Sequence, residues 1–145
     1  MNKYNEYQRQ EVYDAARKNI RRSKYGFHMM WSMFQLQDWQ GYQLWRRRAS
    51  RELVQGISGV RELWQIDMRL MDAKFNLRAD FYVQIDDDML KVHEVIDQQQ
   101  GWFSKHTSAT IHKQVSATWN AYNRVSTQLD KLVTAHAYDA RVTEA

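Results

Sequence analysis

Residues 13–34 read YDAARKNIRRSKYGFHMMWSMF, and their spacing decides the fold. Tyr13, Ala16, Ile20, Ser23, Phe27, Met30 and Phe34 recur alternately three and four positions apart. Side chains at that interval line one side of an α-helix, so the stretch predicts a long amphipathic helix with a single dry stripe. Between the stripe residues stand Arg17, Lys18, Arg21, Arg22 and Lys24. With Ile20 turned inward, Lys18, Arg22 and Tyr25 point the opposite way, and Arg17, Arg21 and Lys24 flank them. The five cations therefore predict one broad basic band on the wet side of the helix.

The same periodicity continues in both directions. The first stripe extends from about Tyr4 to Trp39, with Gly26 marking a bend or joint and Gly41 an end. A second stripe follows: Trp45, Ala49, Leu53, Ile57 and Val60. The tetrapeptide GISG at 56–59 either breaks it or lets another backbone approach closely. The clearest helix spans 60–98, where Leu63, Ile66, Leu70, Ala73, Leu77, Phe81, Ile85, Val92 and Ile96 form a stripe. Trp64, Met68, Met71, Phe75, Tyr82 and Met89 widen that stripe, which predicts packing against more than one neighbour.

QQQGWFS at 98–104 predicts a turn, with Gly101 as the C-cap and Ser104, Thr107 or Ser108 as the N-cap. The last helix, about 108–140, carries Ile111, Val115, Thr118, Tyr122, Val125, Leu129, Leu132 and His136 at matching spacing. No stretch alternates with the period of a strand. The expected fold is all-α. Residues 1–59 form a basic helical arm with joints at Gly26, Gly41 and Gly56–Gly59, and residues 60–145 form a long antiparallel hairpin or bundle of two helices.

Composition agrees with that reading. The 145 residues contain no proline, so the strongest helix breaker is missing, and no cysteine, which rules out disulfides, thiolate metal sites and cysteine nucleophiles. Aromatic content of 13%, with six tryptophans and eight tyrosines, is not that of a disordered chain. The apolar runs are too short for a bilayer span and MNKYNEYQRQ does not resemble a signal peptide, which points to a soluble or assembly-forming protein.

Charge is unevenly placed. The net charge is +4, yet residues 1–62 hold twelve Lys/Arg against six Asp/Glu, and residues 63–145 hold nine against eleven. The basic half contains a second cluster, LWRRRASR at 44–51, in which Arg47 and Arg51 lie opposite the Trp45/Ala49/Leu53 stripe, with Arg46 and Arg48 beside them. Arginine prevails over lysine in both clusters, which suits bidentate phosphate contacts. A single charge run is usually a solvated helix face. Two runs, each backed by an apolar stripe, point to a surface for nucleic acid held without reading its sequence. The candidate contacts are Arg17, Lys18, Arg21, Arg22, Lys24, Arg46, Arg47, Arg48 and Arg51. The aromatics crowding this half are expected mainly in packing and subunit contacts, with stacking on exposed bases as the other role open to them.

No other pattern carries chemistry. Asp86, Asp87, Asp88, His93, Glu94 and Asp97 are the one group resembling a metal or acid–base site. No Glu-x-x-His pair supports it, so a solvated acidic face is expected, and no metal or other cofactor. The remaining histidines have no nucleophile beside them and no glycine-rich phosphate loop occurs, so enzymatic activity is not expected.

A proline-free, cysteine-free helical chain with basic stretches such as ARKNIRRSKY and WRRRASR ahead of a long helical hairpin resembles the major capsid proteins of filamentous archaeal viruses. That resemblance implies a virion subunit that wraps linear double-stranded DNA in a filament. It implies assembly as a homo-oligomer or with a related second subunit, and leaves room for contact with an enveloping membrane. The competing expectation is a cytoplasmic helical interaction module, of the adaptor, immunity or regulatory kind, whose basic half meets an acidic protein.

Overall fold

A computed structural model describes the backbone over residues 6–70, 75–105 and 108–144, and the side chains over 7–69, 79–97 and 109–132. Four helices account for it: α1 (Glu6–Gln35), α2 (Trp39–Leu70), α3 (Phe75–Lys105) and α4 (Ser108–Glu144). Among the described residues there is no strand, as the spacing predicts. Each helix packs on two neighbours, in the ring order α1, α2, α3, α4, and the α1–α2 seam is the most extensive. Consecutive helices run antiparallel, giving an up-down-up-down bundle.

The stripes meet at the centre. Tyr13, Ile20, Phe27 and Met30 of α1 are buried with Leu53, Val60 and Leu63 of α2. From the other pair come Tyr82, Ile85, Met89, Val92 and Ile96, facing Ile111, Tyr122, Val125, Leu129 and Leu132. All belong to one continuous core, so the basic arm expected over 1–59 does not stand apart from the rest. Met68, expected on the dry stripe, is instead exposed.

Several helix boundaries differ from those the sequence predicts. α1 runs unbroken through Gly26, and α2 runs through Gly41, Gly56 and Gly59, so none of these is a joint. The helix expected over 60–98 is two: α2 ends at Leu70 and α3 begins at Phe75. α3 also continues past Gly101 to Lys105, which removes that glycine as a C-cap. Ser104 accordingly lies within α3 and Ser108 opens α4, while Thr107, the other expected cap, is outside the described residues.

Gly26, Gly56 and Gly59 serve the α1–α2 seam. A methyl group at Gly26 would come within 3.1 Å of the Ala49 side chain and 3.2 Å of its backbone. One at Gly56 would meet Ile20 at 2.9 Å, and one at Gly59 would meet Ala16 at 3.0 Å. Small residues thus let the two backbones approach along several turns. Of the two readings of GISG, close approach is the one that occurs.

The α1–α2 connection is short and fully bonded. Gln37 adopts a left-handed conformation (φ 58°). Its N–H donates to the Phe34 carbonyl at 3.0 Å, and the Asp38 N–H donates to that of Met33 at 2.9 Å. This pair of bonds is a Schellman C-cap, built here on glutamine in place of the usual glycine. Asp38 then caps α2, its Oδ1 accepting from the Gly41 N–H at 2.9 Å.

Buried polar contacts fix how the helices are set. Arg9 Nε and Nη2 donate to Asp67 Oδ1 and Oδ2 at 2.6 and 3.1 Å, and Tyr82 donates to Oδ2 at 2.6 Å, joining α1, α2 and α3. Ser23 Oγ donates to the Ala49 carbonyl at 2.8 Å and shares a hydrogen bond of 2.7 Å with the Tyr122 hydroxyl, joining α1, α2 and α4.

Candidate nucleic-acid interface

The helices divide the nine basic residues three ways. Arg17 turns to α4, where its Nη2 lies 3.4 Å from Asp130. Lys24 also turns to α4: Nζ donates to Asn123 Oδ1 at 2.6 Å and sits 4.4 Å from the centre of the Trp119 ring. Arg46 turns to α3, bonding Gln43 Oε1 at 2.9 Å and the Ile96 carbonyl at 3.4 Å. These three have partners within the chain, although Arg17 remains 42% exposed and the Lys24 contact lies at the surface.

Arg21, Arg22, Arg48 and Arg51 converge instead. They line an open groove between α1 and α2 that encloses about 310 Å3, opposite the side on which α3 and α4 pack. Gly26 forms part of its wall, so the close helix approach there sets the groove's width. Lys18 and Arg47 are exposed on the same two helices outside the groove. Arg48 holds its guanidinium 4.9 Å from the centre of the Trp45 ring, and among the described residues its N–H groups meet no hydrogen-bond acceptor. Tyr25 meets Trp45 edge-on, with ring centres 5.7 Å apart, and remains 57% exposed.

Some cations of the bundle have a carboxylate partner and some do not. Arg9, Arg17, Arg61 and Arg124 each meet an aspartate. Among the described residues Lys18, Arg21, Arg22, Arg47, Arg48 and Arg51 meet none. The groove does contain an acid, Glu52, but its Oε2 is closed off from solvent and accepts no hydrogen bond. Glu52 is the groove residue that sequence reasoning missed. Its signal was available, since it follows Arg48 by four positions and so shares its side of α2.

The aspartate cluster on α3 has a different use. Asp86 takes a bidentate contact from Arg61 of α2 at 2.9 and 3.3 Å, and Asp88 is 3.1 Å from Arg124 of α4. Asp87 pairs with Lys91, and Asp97 meets His93 and Ser50. The run fastens α3 to both of its neighbours. Among the described residues no group of three or more His, Asp or Glu is placed to hold a metal ion. Over the same residues no helix is long and apolar enough to cross a membrane.

Most of the aromatics of the basic half pack. Tyr13 and Tyr42 are buried, and Trp31 stacks on Phe34 with ring centres 5.5 Å apart. Among the described residues Tyr7, Tyr25 and Trp39 are the exceptions, each more than half exposed. A second cleft, about 360 Å3, lies between α1 and α4, walled by Phe27, Trp31 and Trp119. No protein-family model, curated protein or solved structure matches the chain.

Proposed function

We propose that the protein is a structural, non-enzymatic subunit that coats nucleic acid through arginine–phosphate contacts. One observation carries this reading: among the described residues the arginines of the α1–α2 groove pair with no carboxylate, whereas Arg9, Arg17, Arg61 and Arg124 each meet an aspartate. Unpaired guanidinium groups crowded together repel one another. A polyanion relieves that repulsion and gains entropy from the counterions it releases. The four groove arginines and the nearby Arg47 and Lys18 supply phosphate contacts that any sequence satisfies.

A capsid subunit that wraps double-stranded DNA in a filamentous virion is the specific form that the family resemblance implies. The bundle suits it: its core is closed by four helices, leaving the basic side for the polymer. Arg17, Lys24 and Arg46, expected as contacts, are assigned here to holding the helices together.

Binding of linear duplex DNA at increasing salt tests the proposal. The wild-type chain should lose affinity steeply. Changing Arg21, Arg22, Arg48 and Arg51 together to Gln should lower the log–log salt slope by roughly 3–4, at about 0.9 for each phosphate no longer neutralised. Arg46→Gln should leave the slope unchanged. Negative-stain imaging should show filaments only when DNA is present. A quadruple variant that binds as the wild type does, or particles indifferent to DNA, would overturn the assignment and favour docking on an acidic protein.

A further inference from the structure

The groove is equipped for more than phosphate. A run of phosphates gains nothing from a carboxylate among the arginines, and Glu52 opposes it by charge. Glu52 lines the groove as a carboxylate, and a hydrogen-bond donor on an occupant would offset its charge. Tyr25 adds a second feature that phosphate does not use. It is an exposed ring between Arg21 and Arg22 on one side and Trp45 on the other, and it meets Trp45 edge-on. One face of the phenol is thereby left to stack. Trp45 serves as the fixed base of the arrangement, since it orients Arg48 and Tyr25 at once.

We infer that the groove takes a single unstacked nucleotide: arginines hold its phosphate, Tyr25 stacks on its base, and Glu52 accepts from the base's amino group. A cationic groove combined with an aromatic platform is the means by which single strands are bound. Cytosine and adenine offer an amino donor beside a ring-nitrogen acceptor, and carboxylates read the cytosine amino group elsewhere. Thymine has no amino group, and two carbonyl oxygens, which a carboxylate repels, flank its one ring N–H. The volume, about 310 Å3, is at the lower end of ligand pockets, roughly 300–1,000 Å3, and suits one nucleotide unit. The inference rests on the basic side being a nucleic-acid surface. It departs from the duplex implied by the capsid resemblance, because bases paired inside a duplex are not offered to Tyr25.

Fluorescence anisotropy with labelled twelve-residue oligonucleotides, at one salt concentration, tests it with the full chain. Single strands should bind about tenfold more tightly than a duplex of equal length, within the range seen for base–aromatic stacking. Tyr25→Ser should bring that ratio toward one, and Tyr25→Phe should restore it. Glu52→Gln should remove a preference for oligo(dC) over oligo(dT). Circular dichroism checks that each variant retains its helices. Equal affinity for single strand and duplex, or a ratio that Tyr25→Ser does not alter, would overturn the inference and leave the phosphate reading standing. If the quadruple arginine variant retained all binding, the basic-side reading itself would fall.

Discussion

Asp67 is fully enclosed, and the bidentate guanidinium of Arg9 and the Tyr82 hydroxyl are what make its charge tolerable there. A buried ion pair is costly to desolvate, so its removal by halves is worse than its absence. Arg9→Met should destabilise the protein by about 3–5 kcal/mol in urea unfolding, because Asp67 is left charged and enclosed. Replacing Arg9, Asp67 and Tyr82 together with Met, Leu and Phe should recover most of the loss. Three tyrosines carry a different liability. Burial raises the pKa of Tyr13, Tyr42 and Tyr122 above the ordinary value of 10.0, against a lowering effect of Arg17, Arg46 and Ser23 respectively. Their contribution is therefore complete below pH 10.0, where folded and unfolded chains are both protonated, and is lost as the pH climbs toward the raised values. Stability should fall above that point by up to about 1.4 kcal/mol per pH unit for each tyrosine. Tyr122→Phe should flatten the decline, measured by urea midpoints between about pH 9 and 12.

At the scale of the helix, the sequence was most informative where the pattern was strictly periodic. The α1 stripe from Tyr13 to Met30 and the α4 stripe from Thr118 to Leu132 are buried where spacing places them. Glycine was the poorer guide. A glycine that ends a helix and one that admits a neighbour look the same in one dimension, and Gly26, Gly56 and Gly59 proved to be the second kind. The α1–α2 turn shows the reverse, since its left-handed position is filled by Gln37, a residue that gives no turn signal. Side chains at positive φ cost energy that glycine avoids, while glycine gives back part of the gain in unfolded-state entropy. Gln37→Gly should accordingly raise stability by about 0.5–1 kcal/mol, seen as a higher urea midpoint with no change in helical signal.

Across the whole molecule, the basic residues were legible but their destinations were not. A helical wheel places Arg17, Lys24 and Arg46 beside their neighbours on a wet surface, because it knows nothing of the helices that arrive from far along the chain. Asp130, Asn123 and the Ile96 carbonyl claim them only once α3 and α4 are in place. The same is true of the acidic run, whose partners Arg61 and Arg124 are 25 and 36 residues away. Charge pattern alone thus overstates a binding surface by the cations that tertiary structure uses. Arg17→Gln, Lys24→Gln and Arg46→Gln, made together, should lower stability while leaving the salt dependence of DNA binding intact. The groove variants should do the opposite, and comparing both sets by thermal melting and titration separates the two roles.

The small-residue seam between α1 and α2 has a consequence for how the chain reaches its native state. Its partners are joined by a three-residue turn that is already capped at both ends, so they meet at little loop-closure cost. That hairpin should form early, with α3 and α4 condensing onto it. Pulse-labelling by deuterium would reveal this order as amides near Ala16, Ile20 and Gly56 gaining protection ahead of those near Ile85 and Val125. Substituting Gly26 or Gly59 with valine would then slow refolding as well as weaken the product, whereas truncating Val125 to alanine would chiefly hasten unfolding.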